Sequence, residues 1–108
     1  MNYTLTELEQ WVLLAILHLG EDAYAVTIRE EIRRRTGSAP MRGSIYVTLD
    51  RLETHGLLAA QMSDPLPERG GKARRYFRLR PAALRALRES RHAHEQMWKG
   101  LAAMVEKS

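Results

Sequence analysis

Met41 to Gly56, MRGSIYVTLDRLETHG, is the stretch on which the reading of this chain turns. At helical spacing, Ile45, Leu49 and Leu52 fall within about a third of a turn and make one apolar stripe. Gly43, Ser44, Val47, Arg51 and Thr54 lie opposite. A helix face kept only for solubility carries Lys and Glu at such positions. Small side chains with one long cation suit a face that comes close to another surface, such as the major groove of DNA. Taken alone, the helix reads equally well as an ordinary surface helix. The segment that follows it decides.

Gly56 closes the helix, and Leu57 to Met62 reads as a short strand. Ser63 to Ala73, SDPLPERGGKA, is a loop dense in Pro and Gly. Arg74 to Arg80 follows as a second strand, with Arg75, Phe77 and Leu79 on one face and Arg74, Tyr76, Arg78 and Arg80 on the other. Between Asp64 and Arg80 stand six cations (Arg69, Lys72, Arg74, Arg75, Arg78, Arg80) and two anions (Asp64, Glu68), so this segment carries the whole net charge of +4. A basic hairpin beside a helix with a small-residue face is the footprint of a module that grips phosphates and reads a groove. A merely solvated basic loop is the simpler account, and the preceding helix argues against it.

Two helices precede this unit. In MNYTLTELEQ, Thr4 with Glu7 and Thr6 with Glu9 both have capping-box spacing. Thr4 is the expected cap, because Tyr3 and Leu8 would add a hydrophobic staple. The helix runs to about Leu19 and stops at Gly20. Leu8, Val12, Ala15, Ile16 and Leu19 form its apolar face, widened by Trp11, Leu13, Leu14 and Leu17. A helix apolar over most of its circumference needs cover on two sides, from its own core or from a partner chain. Residues 23–36 make the second helix, with Tyr24, Ala25, Ile28 and Ile32 inward. Arg33, Arg34 and Arg35 complement its dipole or, as the less favoured reading, touch phosphates. Gly37 is a natural stop, and Ser38-Ala39-Pro40 is the turn into the third helix.

The 108-residue chain is long enough for one small core. It has no cysteine, which removes disulfides, thiolate metal sites and cysteine nucleophiles. No apolar run reaches membrane-spanning length, and the start does not resemble a signal peptide, so a cytoplasmic location is expected. Three helices and a two-stranded hairpin in this order define a mainly α, α+β winged helix-turn-helix.

Leu5 to Arg80 also resembles the PadR-type transcriptional regulators. The carrying stretches are LTELEQWVLLAILHLGEDAYAV, GSIYVTLDRLETHGLL and ERGGKARRYFRLRPAAL. The second has the family's small residues, Tyr, Leu, Arg-Leu-Glu and Gly-Leu. The third has its wing of glycine, a basic pair, an aromatic pair and a Leu before Pro. The resemblance implies a dimeric bacterial or archaeal regulator, usually a repressor, whose third helix and wing contact operator DNA. Where the family often has Ser-Pro before that helix, Ala39-Pro40-Met41-Arg42 stands here, which leaves its N-cap open.

The last element is read as one helix from Pro81 to about Glu106, roughly 37 Å long. Leu84, Leu87, Arg91, His94, Trp98, Leu101 and Val105 recur along it as a coiled-coil-like seam with a polar middle. One domain of this size cannot cover such a helix, so a second copy is the expected cover. The resemblance implies the same, since compact members of the family dimerise through a single C-terminal helix packed with the partner's first helix. Trp11, Leu14, Leu87, His94, Met97, Trp98, Leu101 and Val105 are the interface candidates.

The division expected is 1–80 for DNA binding and 81–108 for dimerisation. Ser44, Val47 and Arg51 are the candidate base readers on helix 41–56. Arg42 and Tyr46 flank them as phosphate contacts, and Arg69, Lys72, Arg74 and Arg75 are the gripping residues of wing 63–80. The expected function is that of a homodimeric repressor on an inverted-repeat operator. One alternative is a ligand-responsive switch with an aromatic effector against Trp11, Met97, Trp98 and Met104. Another is a winged helix used only for protein–protein contact. His92 and His94 stand about 200° apart on a helix and cannot share one ion within a chain; His94 meeting its own copy would make a pH switch. No metal site, cofactor or enzymatic motif is expected, and Gly70-Gly71-Lys72 lacks the remainder of a P-loop.

Overall fold

The computed structural model describes residues 4–64, 70 and 73–107. In order these form α1 (Glu7–Leu19), a 3-10 turn (Gly20–Asp22), α2 (Ala25–Thr36), α3 (Arg42–Thr54), β1 (Leu58–Met62), β2 (Arg75–Leu79), α4 (Pro81–Trp98) and α5 (Ala102–Glu106). Three helices and an antiparallel two-stranded hairpin make a winged helix-turn-helix, and the element order is the expected one.

The start of α1 corrects the expected cap. Thr6, not Thr4, closes the helix: its hydroxyl accepts from the Glu9 N–H at 3.1 Å, and the Glu9 carboxylate accepts from the Thr6 N–H at 2.8 Å. This choice drops Leu5 into the core and buries Glu9 against the amide it satisfies. Tyr3, the proposed staple, lies outside the described residues. Gly20, at φ 60°, ends the helix where the chain must reverse.

The helix α2 starts two residues later than expected, because Ala23 has another role. It is buried, and its carbonyl accepts from the Phe77 N–H of β2 at 2.9 Å. The segment between α1 and α2 therefore borders the hairpin on the edge opposite β1. Within the hairpin, Leu58 pairs with Leu79, Ala60 with Phe77 and Met62 with Arg75. Phe77 and Leu58 are buried, as the alternation of the sequence requires.

One core gathers Val12, Leu13 and Ile16 of α1, Ile28 and Ile32 of α2, Ile45, Leu49 and Leu52 of α3, and Phe77 of the wing. From α4 only Ala83 and Ala86 are fully buried, and every residue beyond Ser90 that the structure describes is exposed. The radius of gyration, 15.9 Å, exceeds the ~13 Å of a compact chain of this length because this helix projects.

The projecting element is not one helix. The helix α4 ends at Trp98, Lys99 leaves helical geometry, Gly100 sits at φ 82°, and α5 starts at Ala102. The continuous stretch is thus ~27 Å rather than roughly 37 Å. Leu84, Leu87, Arg91, His94 and Trp98 keep their seam; Leu101 and Val105 lie beyond the break. The left-handed Gly100 is the physical reason, since glycine at this backbone angle terminates helices at little cost.

At the end of α2, Arg33 pairs with Glu30 at 2.7 Å, and Arg34 pairs with Glu31 at 2.8 Å, where Arg35 joins it. The three arginines are each paired on their own helix, with two carboxylates between them. Hydrogen bonds from Arg35 and then Arg34 hold the Glu31 carboxyl below its ordinary value.

Two predictions follow from these helix ends. Thr6→Ala should cost about 1 kcal/mol in urea unfolding, while Thr4→Ala should change nothing measurable; equal losses would return the cap to Thr4. The depressed Glu31 pKa means that its ion pairs stabilise the fold above the unfolded carboxyl pKa and fade as pH falls through the folded one. The urea midpoint should therefore drop between about pH 7 and about pH 3, and the drop should shrink in Arg34→Gln/Arg35→Gln.

Candidate nucleic-acid interface

The same turn periodicity that buries Ile45, Thr48, Leu49 and Leu52 forces the other side of α3 outward. Arg42, Gly43, Ser44, Tyr46, Val47 and Arg51 are all exposed, with Tyr46 at 55% and Val47 at 56%. The five α3 residues singled out from the sequence are thus all solvent-exposed, with Ser44, Val47 and Arg51 on one side and Arg42 and Tyr46 toward α2. Met41 occupies the N-cap position without a side-chain hydrogen bond. The turn before it is held by α2 instead, through the Arg29 Nε–H donated to the Pro40 carbonyl at 2.6 Å. Arg42 and Tyr46 border a small cleft of about 140 Å³ between α2 and α3.

The wing contributes its two adjacent arginines in opposite directions. Arg74 lies 4.3 Å from the Tyr24 ring centroid, and Tyr24 meets Tyr76 edge-on at 5.5 Å. Hydrogen bonding to Tyr76 raises the Arg74 pKa above its ordinary value. Arg75 turns the other way, to α3. Its guanidinium pairs with Asp50 at 2.9 Å and with Glu53, and it lies over the Phe77 ring at 4.9 Å. Both guanidinium groups thus have partners within the protein. Arg78 and Arg80 are exposed and take part in no described ion pair. Arg69 and Lys72 lie outside the described residues.

Sequence reasoning missed Tyr24, Asp50 and Glu53 as parts of this surface. Asp50 and Glu53 carried a usable signal: two carboxylates three residues apart on one flank of a helix that precedes a basic strand. Tyr24 carried none, because its ring meets the wing across a long sequence separation.

A second surface is formed by α1 and α4. A cleft of about 610 Å³ runs between α1 and α4, lined by Trp11, Leu14, Leu84, Leu87, Arg91 and His94 among others. Leu14 is 43% exposed and Trp98 41% exposed, with the His94 and Trp98 rings 6.2 Å apart. Met97, Leu101 and Val105 are also exposed. All eight interface candidates are therefore on α1 or on the α4–α5 arm, and the cleft brings Trp11, Leu14, Leu87 and His94 together. Among the described residues no helix is long and apolar enough to cross a membrane, and no group of three or more His, Asp or Glu side chains is placed to hold a metal ion.

A helix-turn-helix with an exposed small-residue face, a basic wing and an apolar arm defines a winged-helix transcriptional regulator. Residues 13–89 match the Transcriptional regulator PadR-like family. The transcriptional regulator Rv3488 of Mycobacterium tuberculosis is 36% identical over 88 residues, covering 80% of this chain and 78% of that protein. A PadR family transcriptional regulator from Eggerthella lenta superposes with a TM-score of 0.69 at 28% identity, covering 94% of this chain and 88% of its own. Bordetella bronchiseptica BpsR, whose DNA binding is regulated by 6-hydroxynicotinic acid, shares the fold with a TM-score of 0.63 at 18% identity, over 91% of this chain and 68% of its own. The chain belongs to the PadR-like family of transcriptional regulators, which are not enzymes.

Proposed function

We propose that this regulator is a homodimeric, sequence-specific DNA-binding repressor acting on an inverted-repeat operator, with residues 1–80 binding DNA and 81–108 pairing the copies. The observation that carries this reading is the outward face of α3, where Gly43, Ser44 and Val47 leave room for close approach beside the long cation of Arg51. Ser44, Val47 and Arg51 read base edges, and Arg42 and Tyr46 hold flanking phosphates. On the wing, Arg69, Lys72, Arg74 and Arg75 supply the backbone grip, with Arg74 held against Tyr24 and Arg75 against α3.

Dimerisation is supported by the α1–α4 cleft. Exposed Leu14 and Leu84 in this cleft, and exposed Trp98 further along α4, are covered when a second copy lays its α4 there. A second reading keeps the same dimer and adds control by a planar aromatic effector beside Trp11 and Trp98. The cleft volume and the His94–Trp98 pair favour it. The regulation of BpsR by a small aromatic acid shows such control in a protein of this fold.

Selection from a random duplex pool should enrich an inverted repeat with half-sites about one helical turn apart. On the selected site, Arg51→Ala should weaken binding and relax sequence preference, while Lys72→Ala should weaken all DNA equally and lower the salt slope by about one. Enrichment of nothing, with weak salt-sensitive binding to any duplex, would remove the groove assignment. Leu14→Glu should shift sedimentation from dimer to monomer. A variant that stays dimeric would place the interface elsewhere.

A further inference from the structure

The geometry points to Arg75 as a positioning residue: it locks the wing against the recognition helix through Asp50 and Glu53, and so sets how well the protein separates its operator from other DNA. This inference rests on the DNA-binding reading above, and it gives Arg75 a task other than holding a phosphate.

The clamp is unlike the other charge pairs of the molecule. Every other described ion pair joins residues three or four apart on a single helix. Arg75 instead reaches 25 residues back to Asp50 and 22 back to Glu53. One guanidinium held between two carboxylates, with its plane over the Phe77 ring, is a network and not an isolated surface pair. Its root is rigid, since Phe77 is buried and its N–H is fixed on Ala23.

Position matters as much as strength. Arg75 is the first residue of β2, opposite Met62 at the tip end of the ladder. The ladder and the Ala23 contact hold the wing lengthwise. Sideways restraint comes from the diverging arginines, with Arg74 on Tyr24 toward α2 and Arg75 on α3. A wing free to swing would still attract any duplex through its charge. It would no longer be in register with the bases that α3 reads.

Charge gives a second argument. Asp50 and Glu53 stand on the flank of the DNA-reading helix, where bare carboxylates repel phosphate. Arg75 offsets one of their two charges in place and engages both carboxylates. Were Arg75 to move to a phosphate, it would leave two carboxylates facing a polyanion, so such a contact gains little.

The test uses the full chain in three forms: Arg75→Gln, Asp50→Asn/Glu53→Gln, and all three substitutions together. Without DNA, amide hydrogen exchange at residues 75–79 should be faster in each form than in the wild type. With the selected duplex, the ratio of selected to random affinity should fall about tenfold in each. The triple form should fall no further than either parent within about twofold, because all three remove one interaction. A direct phosphate contact gives a different pattern: Asp50→Asn/Glu53→Gln leaves the ratio of selected to random affinity unchanged, and Arg75→Gln weakens selected and random DNA alike with a salt slope lower by about one. That pattern, or wing exchange unchanged in Asp50→Asn/Glu53→Gln, overturns the clamp. A wild type without any preferred duplex overturns the DNA-reading assignment instead, and the exchange measurement still decides whether Arg75 restrains the wing.

Discussion

The burial of one face of α3 is the constraint on which the other features depend. Ile45, Leu49 and Leu52 sit in the same cluster as Val12, Leu13 and Ile16 of α1. Each such side chain contributes about 1.5–3 kcal/mol on leaving water. That is enough for the inner face alone to hold the helix in place. The outer face is thereby released from any structural duty and can consist of Gly43, Ser44 and Val47. Sequence pattern, packing and function are linked here in one step: a strict inner stripe is what permits an outer face chosen for approach.

Charge is distributed by the same logic. The three arginines that end α2 face Glu30 and Glu31 one turn back, so two of their three charges are offset on the same helix. The uncompensated charge belongs to the segment from Asp64 to Arg80. Even there, Arg74 and Arg75 point inward to aromatic and acidic partners. Among the described residues, the arginines at the tip end of the ladder, Arg74 and Arg75, are thus restrained by partners, while Arg78 and Arg80 face solvent. In the proposed reading, steering of a polyanion and placement of the wing fall to different side chains, although the chain writes them as one basic run.

Local patterns were legible from the residues because they are short in range. The spacing of Ile28 and Ile32, and of Ile45, Leu49 and Leu52, is helical on its face. The alternation around Phe77 is that of a strand, and Gly37 and Gly56 stop helices at positive φ, as expected. Two local choices were misjudged. Thr4 and Thr6 have identical spacing to a following Glu, and only the burial of Leu5 and Glu9 separates them. At Gly100, the recurrence of Leu101 and Val105 suggested continuity, while the glycine marked an end; the backbone preference prevailed because no packing in the exposed arm opposes it. The Arg75 clamp and the Tyr24–Arg74 contact are tertiary. Nothing within a window of a few residues reports them.

The junction between wing and arm ties the two surfaces together. The Arg80 N–H donates to the Leu57 carbonyl at 2.9 Å, and the Ala83 N–H donates to the Arg80 carbonyl at 2.9 Å. The end of β2, the start of α4 and the chain just after α3 are therefore pinned at one point. Ala83 and Ala86 then bury the first turns of α4 against the core, so its direction is set by the domain and not by a linker. In the proposed dimer, this rigid root converts the packing of two arms into a fixed separation of two α3 faces, which is what an inverted repeat of fixed spacing requires. In the same proposed dimer, a change in arm packing would reach α3 through this pinned root rather than through a flexible tether. An effector bound beside Trp98 would then need only a small shift of α4 to move the two reading heads out of register.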